Sequence, residues 1–84
     1  MGTSATMYDH RVSNVRVTGE ALIVELKDGR EIRAPLRWFP KLERATKEQR
    51  AKWQPSAAGY GIHWPLIDED LSVDGLLRGQ PTPA

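Results

Sequence analysis

Two apolar–polar alternations flank a single Asp-Gly step, and that step restricts how the first half of the chain can fold. Ala21 to Lys27 sets Leu22, Val24 and Leu26 against Ile23, Glu25 and Lys27, and Arg30 to Leu36 sets Ile32, Ala34 and Leu36 against Glu31, Arg33 and Pro35. A period of two with β-branched residues describes strands with one buried face. Asp28-Gly29 between them is a hairpin signal. A two-residue loop would place Leu26 opposite Glu31 and carry a charge onto the apolar face. A three-residue loop, Lys27-Asp28-Gly29, places Val24 opposite Ile32 and Leu22 opposite Ala34. The predicted turn is therefore type I, closed by Gly29 in the left-handed conformation with a G1 bulge. Val12 to Val17 adds another strand. A four-residue turn over Thr18 to Ala21 sets Val17 opposite Leu22 and Val15 opposite Val24. A slip of one residue would turn every side chain over, so the agreement of turn and pattern selects one register.

Beyond this meander the signals are shorter. Pro35 ends the third strand or lies at its edge. Leu36 to Pro40 forms an apolar corner. Thr46 followed by Gln49 is a capping box, which predicts a helix over Lys47 to Trp53 with Leu42, Ala45 and Trp53 toward the core. About two turns of helix need tertiary packing to persist. Tyr60, Ile62 and Trp64 alternate with Gly61 and His63 in a short extra strand that Pro65 ends. Ser72 caps a last short helix, with Leu71 and Leu76 spaced as a hydrophobic staple and Gly79 as its stop. The predicted fold class is α+β: a three-stranded antiparallel meander covered by the helix from Thr46, with a short extra strand and a short C-terminal helix. Residues 8–79 form the single domain, and residues 1–7 and 80–84 are expected to be disordered.

A chain of 84 residues makes one domain, whose core is thin because only about 60–65% of the unfolded surface is buried at this size. It has no cysteine, which fits a reducing compartment and a cytoplasmic location. No apolar run reaches the roughly 18–20 residues of a membrane span, and the polar start is not a secretory signal. The charge is uneven: residues 1–57 hold eleven Lys and Arg against seven Asp and Glu, and residues 58–84 hold one against four. A chain near neutrality attracts nucleic acid weakly, so the acidic end either folds back on the basic part or faces a partner.

Few residues suggest chemistry. His63 beside the acids Asp68, Glu69 and Asp70 could be a general base, with Asp68 or Asp70 orienting it. A strand histidine between Ile62 and Trp64 more often anchors structure, and His10 is expected to be inert. Three consecutive carboxylates do not converge easily on one cation, so they fit capping and ion pairing better than a metal. Two histidines without a cysteine are a poor zinc set. No nucleophile elbow or phosphate loop occurs, and Gly59-Tyr60-Gly61 precedes a strand rather than opening a helix. Catalytic residues, cofactor and metal are therefore each expected to be none. The aromatic residues Trp38, Phe39, Trp53, Tyr60 and Trp64 are expected to build the core, unless an exposed tryptophan beside Arg37 or Arg44 serves as a stacking platform.

The segments DGREIRAPLRWFPKLERATKEQRAKW and GIHWPLIDEDLSVDGLLRG resemble the Domain of Unknown Function 2442 family over roughly Tyr8 to Gly79. The most specific pieces are Pro35-Leu36, Trp38, Pro40-Lys41-Leu42, Thr46 to Trp53, and Ile62-His63-Trp64-Pro65 running into Asp68-Glu69-Asp70-Leu71-Ser72. The resemblance implies a small bacterial or phage-type α+β protein without an established activity. Some members of the family carry an added helix-turn-helix domain, and some are encoded beside toxin-like proteins. A protein-interaction or regulatory module, antitoxin-like in kind, is the expected function. Binding of nucleic acid through Arg30, Arg33, Arg37 and Arg44 with Trp38 is the alternative, and an enzyme using His63 comes last. The candidate interaction surface is Trp38, His63, Trp64, Asp68, Glu69 and Asp70, with an exposed sheet edge as a second one. The expected partner is a protein, including a second copy of the chain as a homodimer.

Overall fold

The computed structural model describes residues 8–82. The segment 1–7 expected to be disordered lies outside them, as do residues 83 and 84 of the expected tail. Residues 80–82 are tethered: the Thr82 backbone N–H and hydroxyl both donate to the Trp38 carbonyl, at 3.0 and 3.3 Å.

The first sheet is antiparallel in the order β1 (Val12–Val17), β2 (Ala21–Leu26), β3 (Glu31–Pro35). Its register is the predicted one: Val17 faces Leu22, Val15 faces Val24, Leu22 faces Ala34 and Val24 faces Ile32. Gly29 takes φ 95°, which favours glycine, and its N–H donates to the Leu26 carbonyl at 3.0 Å. Asp28 reinforces the turn. Its carboxylate accepts from the Arg30 backbone and guanidinium and from the Asp9 N–H, so it ties the incoming chain to the hairpin.

The single extra strand becomes the centre of a second antiparallel sheet, β4 (Gln54–Ser56), β5 (Gly61–Trp64), β6 (Glu69–Ser72). Three short helices complete the fold: α1 (Pro40–Arg44), α2 (Lys47–Ala51) and α3 (Val73–Arg78), with 3₁₀ turns at Leu36–Trp38 and Ala57–Gly59. The helix α1 was not expected. Its proline sits at the first position, where no intrahelical N–H is needed. The capping box of α2 is present, with Thr46 and Gln49 exchanging side-chain bonds at 3.1 and 2.9 Å. This helix, however, stops at Ala51 and buries none of its residues, so it does not cover the sheet as expected. Its five residues, Lys-Glu-Gln-Arg-Ala, offer no large apolar side chain. The cover comes instead from Leu36 and Phe39 in the corner, Leu42 of α1, Ile62 and Trp64 of β5, Leu71 of β6, and Val73 and Leu76 of α3. At the last helix Ser72 accepts from Gly75 N–H at 2.8 Å and Gly79 is left-handed at φ 76°, as predicted.

Phe39 is fully buried between the meander and the second sheet. Truncating Phe39→Ala should lower unfolding stability by about 3–5 kcal/mol, a large share of the roughly 5–15 kcal/mol typical of a domain. Urea denaturation measures it. A loss under about 1 kcal/mol would mean that the corner does not seal the core.

Candidate interaction surfaces

Strand alternation divides the residues that the sequence groups together. On β5, Ile62 and Trp64 point inward and are fully buried, while His63 points outward. On β6, Glu69 and Leu71 point inward, while Asp70 and Ser72 point outward. The structure therefore brings His63 and Asp70 together across the strands, with Nδ1 and Oδ1 2.9 Å apart and Gln54 flanking His63 from β4. Trp64 and Glu69 are core. Asp68 is exposed in the left-handed conformation at φ 51°, and its carbonyl accepts from Lys41 Nζ at 2.8 Å. Trp38 is half-buried elsewhere, edge-on to Phe39 and close to Gly79.

The outward pair has limited chemical reach. A carboxylate on Nδ1 orients an imidazole, as a general base requires. Yet Ser72, on the same face of β6, gives its hydroxyl to capping Gly75. Among the described residues nothing hydrogen-bonds His63 Nε2, and no three acidic or histidine side chains group as metal ligands. No helix of the described residues is long and apolar enough to cross a membrane.

The sheet edges differ more informatively. An antiparallel strand directs its backbone groups alternately toward and away from its neighbour. In β3 the pairing of Leu26 N–H with the Arg30 carbonyl leaves Glu31, Arg33 and Pro35 facing out, and Pro35 has no donor. In β4 the outward residue is Pro55, again without a donor. In β6 the outward Asp70 N–H is taken by Glu69 Oε1 at 3.2 Å. Prolines and inward-pointing charges are devices that blunt an edge against strand addition.

The edge of β1 carries no such device over its second half. Thr18 N–H donates to the Ala21 carbonyl at 2.9 Å, so Arg16 faces β2 and the backbone groups of Val15 and Val17 face away from the sheet. Among the described residues they have no backbone partner. A bulge between Val12 and Asn14 irregularises only the far end. Beside this edge runs a cleft of about 580 Å³, lined by Val15 to Gly19 on one side and by Lys47, Arg50 and Ala51 of α2 on the other. Sequence reasoning anticipated an exposed edge without identifying it. Locating it required the second sheet and α2, which carry weak local signals.

The model of the family described as "Protein of unknown function (DUF2442)" matches residues 12–82. A crystal structure of a protein of unknown function from Rhodospirillum rubrum is similar at 32% identity and a TM-score of 0.73, over 87% of this chain and 90% of that one. A solution NMR structure of an uncharacterised protein from Chromobacterium violaceum is similar at 25% identity and a TM-score of 0.73, over 88% and 70% of the two chains. No curated protein matches the chain.

Glu69 makes a pH dependence that can be measured. Burial pushes its carboxyl above the ordinary value of 4.5, against a lowering by the Asp70 N–H and by Lys41 of α1, while Asp70 and Asp68 add to the rise. The unfolded chain then ionises Glu69 before the folded one does. Folding is fully supported below the ordinary value and loses stability as pH rises through the raised one. Glu69→Gln keeps an acceptor for Asp70 N–H and removes the charge. It should be more stable than the parent at about pH 7 and indistinguishable at about pH 4. Denaturant midpoints at the two pH values test this, and equal stability at both would contradict it. The lowered carboxyl of Asp9, held at about 2 by the Arg11 guanidinium, acts in the opposite sense and only in more acidic solution.

Proposed function

The chain belongs to the DUF2442 family, and from that premise we propose that it is a protein-interaction module that works by equilibrium binding at the edge of β1. The observation that carries this reading is the contrast among the edges. Pro55 and Glu69 remove the outward donors of β4 and β6, β3 is flanked by the charged Glu31 and Arg33 and ends in Pro35, and β1 presents the apolar Val15 and Val17 beside a cleft. A row of unpaired N–H and C=O groups is a template for an added strand, and main-chain bonds supply affinity in that mode. A regulatory or antitoxin-like role needs this kind of reversible association.

The other readings have less support. The nucleic-acid reading loses Arg30, which is held by Asp28 at 2.7 Å with its guanidinium 5.8 Å from the Tyr8 ring centre. Arg33, Arg37 and Arg44 remain exposed, but Trp38 packs against the core rather than offering a stacking face beside them. The enzymatic reading rests on His63 and Asp70 alone.

Val17→Pro separates these readings. The outward N–H of Val17 serves no bond within the sheet, proline is compatible with an edge strand, and Arg16 before it is already extended. The variant should keep its circular dichroism and unfold cooperatively. It should lose the stoichiometric partner that the parent chain captures from the cell that makes it, while His63→Ala keeps that partner. Retention of the partner by Val17→Pro, or its loss in His63→Ala, would overturn the reading.

A further inference from the structure

The cleft beside β1 has a definite chemical character. It is lined by the apolar Val15, Val17 and Ala51 and by the cations Arg16, Lys47 and Arg50. No acidic residue lines it. Among the described residues Lys47 and Arg50 meet no carboxylate: the Arg50 guanidinium donates to the Leu42 and Glu43 carbonyls, both at 2.9 Å, which fixes it without neutralising it. Arg16 is shared by Glu25 and Glu31 at 3.2 and 3.4 Å, on the outer face of the sheet, and is half exposed. A strand laid along β1 would therefore meet uncompensated positive charge on the side of α2, while Arg16 on the other face is already paired with Glu25 and Glu31.

We infer that this cleft binds an extended acidic segment of a partner protein, which adds to the outer edge of β1 as a fourth strand running past α2. The inference rests on the reading of β1 as the binding edge and supplies the chemistry of its partner. The open stretch of β1, Val15 to Val17, spans about 10 Å at roughly 3.4 Å per residue, which accommodates about three residues of the segment in the ladder. Its main chain exchanges hydrogen bonds with Val15 and Val17. Its acidic side chains lie on the face toward Lys47 and Arg50, and its alternate apolar side chains lie on the other face along the stem of Arg16. A second copy of this chain is a poor occupant. Two-fold pairing of β1 with itself would bring Lys47 and Arg50 of both copies toward one another, and facing like charges oppose pairing. The acidic strand of the chain itself, β6, has its outward amide occupied by Glu69.

The test titrates ¹⁵N-labelled chain with three synthetic heptapeptides: alternating valine and glutamate, alternating valine and lysine, and the glutamate peptide N-methylated at alternate amides. The glutamate peptide should shift the amides of Val15 to Gly19 and Lys47 to Ala51. It should bind at least about tenfold more tightly than either other peptide, and weaken as salt is raised. Lys47→Glu, an exposed substitution outside the core, should weaken it by about the same factor while leaving the unfolding midpoint near that of the parent. Equal binding of the lysine peptide overturns the acidic-partner inference and leaves the edge reading standing. Equal binding of the N-methylated peptide overturns the edge reading itself. Shifts at other residues, no shift with the glutamate peptide, or a dimer in sedimentation that forms through β1 would each overturn the inference.

Discussion

The indole of Trp64 and the guanidinium of Arg50 brace parts of this chain that could not stand alone. Trp64 is fully buried in β5, and its Nε1–H donates to the Arg50 carbonyl at 3.2 Å. Arg50 in turn donates to the carbonyls of Leu42, which also accepts from Ala45 N–H, and of Glu43, both in the last turn of α1. Helices of five residues are far below the length that persists in water. Since α2 buries no residue, these bonds and its capping box hold it in place. The brace therefore does two things: it joins the second sheet to the helical segment, and it sets α2 beside β1 so that a cleft exists there.

Seen from that brace, the two sheets divide their tasks. The second sheet faces the first with Ile62, Trp64 and Leu71, and closes a core that 84 residues could not complete with the meander alone. Its own edges are closed by local chemistry, proline on β4 and the Glu69 carboxylate on β6. The burial of Glu69 costs stability at neutral pH, where an apolar residue at the same inward position would cost none. The hydrogen bond to Asp70 N–H gives that cost a physical return, since it removes a donor from an exposed edge. The first sheet has its outer face sealed by the stems of Arg16 and Arg33 around the buried Ile23, and along β1 it leaves the outward backbone groups of Val15 and Val17 free beside the cleft.

How much of this was legible depended on how local the determining physics is. The register of the meander was, because the Lys27-Asp28-Gly29 turn and the alternation of Leu22, Val24, Ile32 and Ala34 are determined within a few residues of one another. The caps at Thr46, Ser72 and Gly79 were legible for the same reason. The strands β4 and β6 were not. One is three residues around a proline, and the other begins with two acids whose inward and outward fates follow only from pairing with β5. The same alternation explains the fate of the candidate surface: Trp64 and Glu69 turn into the core while His63 and Asp70 turn out, although all four lie close together in the sequence. Trp38 separates from them because it belongs to the corner after β3 and packs by the end of α3.

Amide hydrogen exchange in the free chain, read residue by residue along β1 by NMR, tests most directly whether this edge is open. Arg16 and Thr18 direct their N–H groups into the sheet, and Val15 and Val17 direct theirs outward. The account predicts that Val15 and Val17 exchange orders of magnitude faster than Arg16 and Thr18, in alternation. Uniform protection of all four would mean that β1 is already covered, and would contradict the account at its centre.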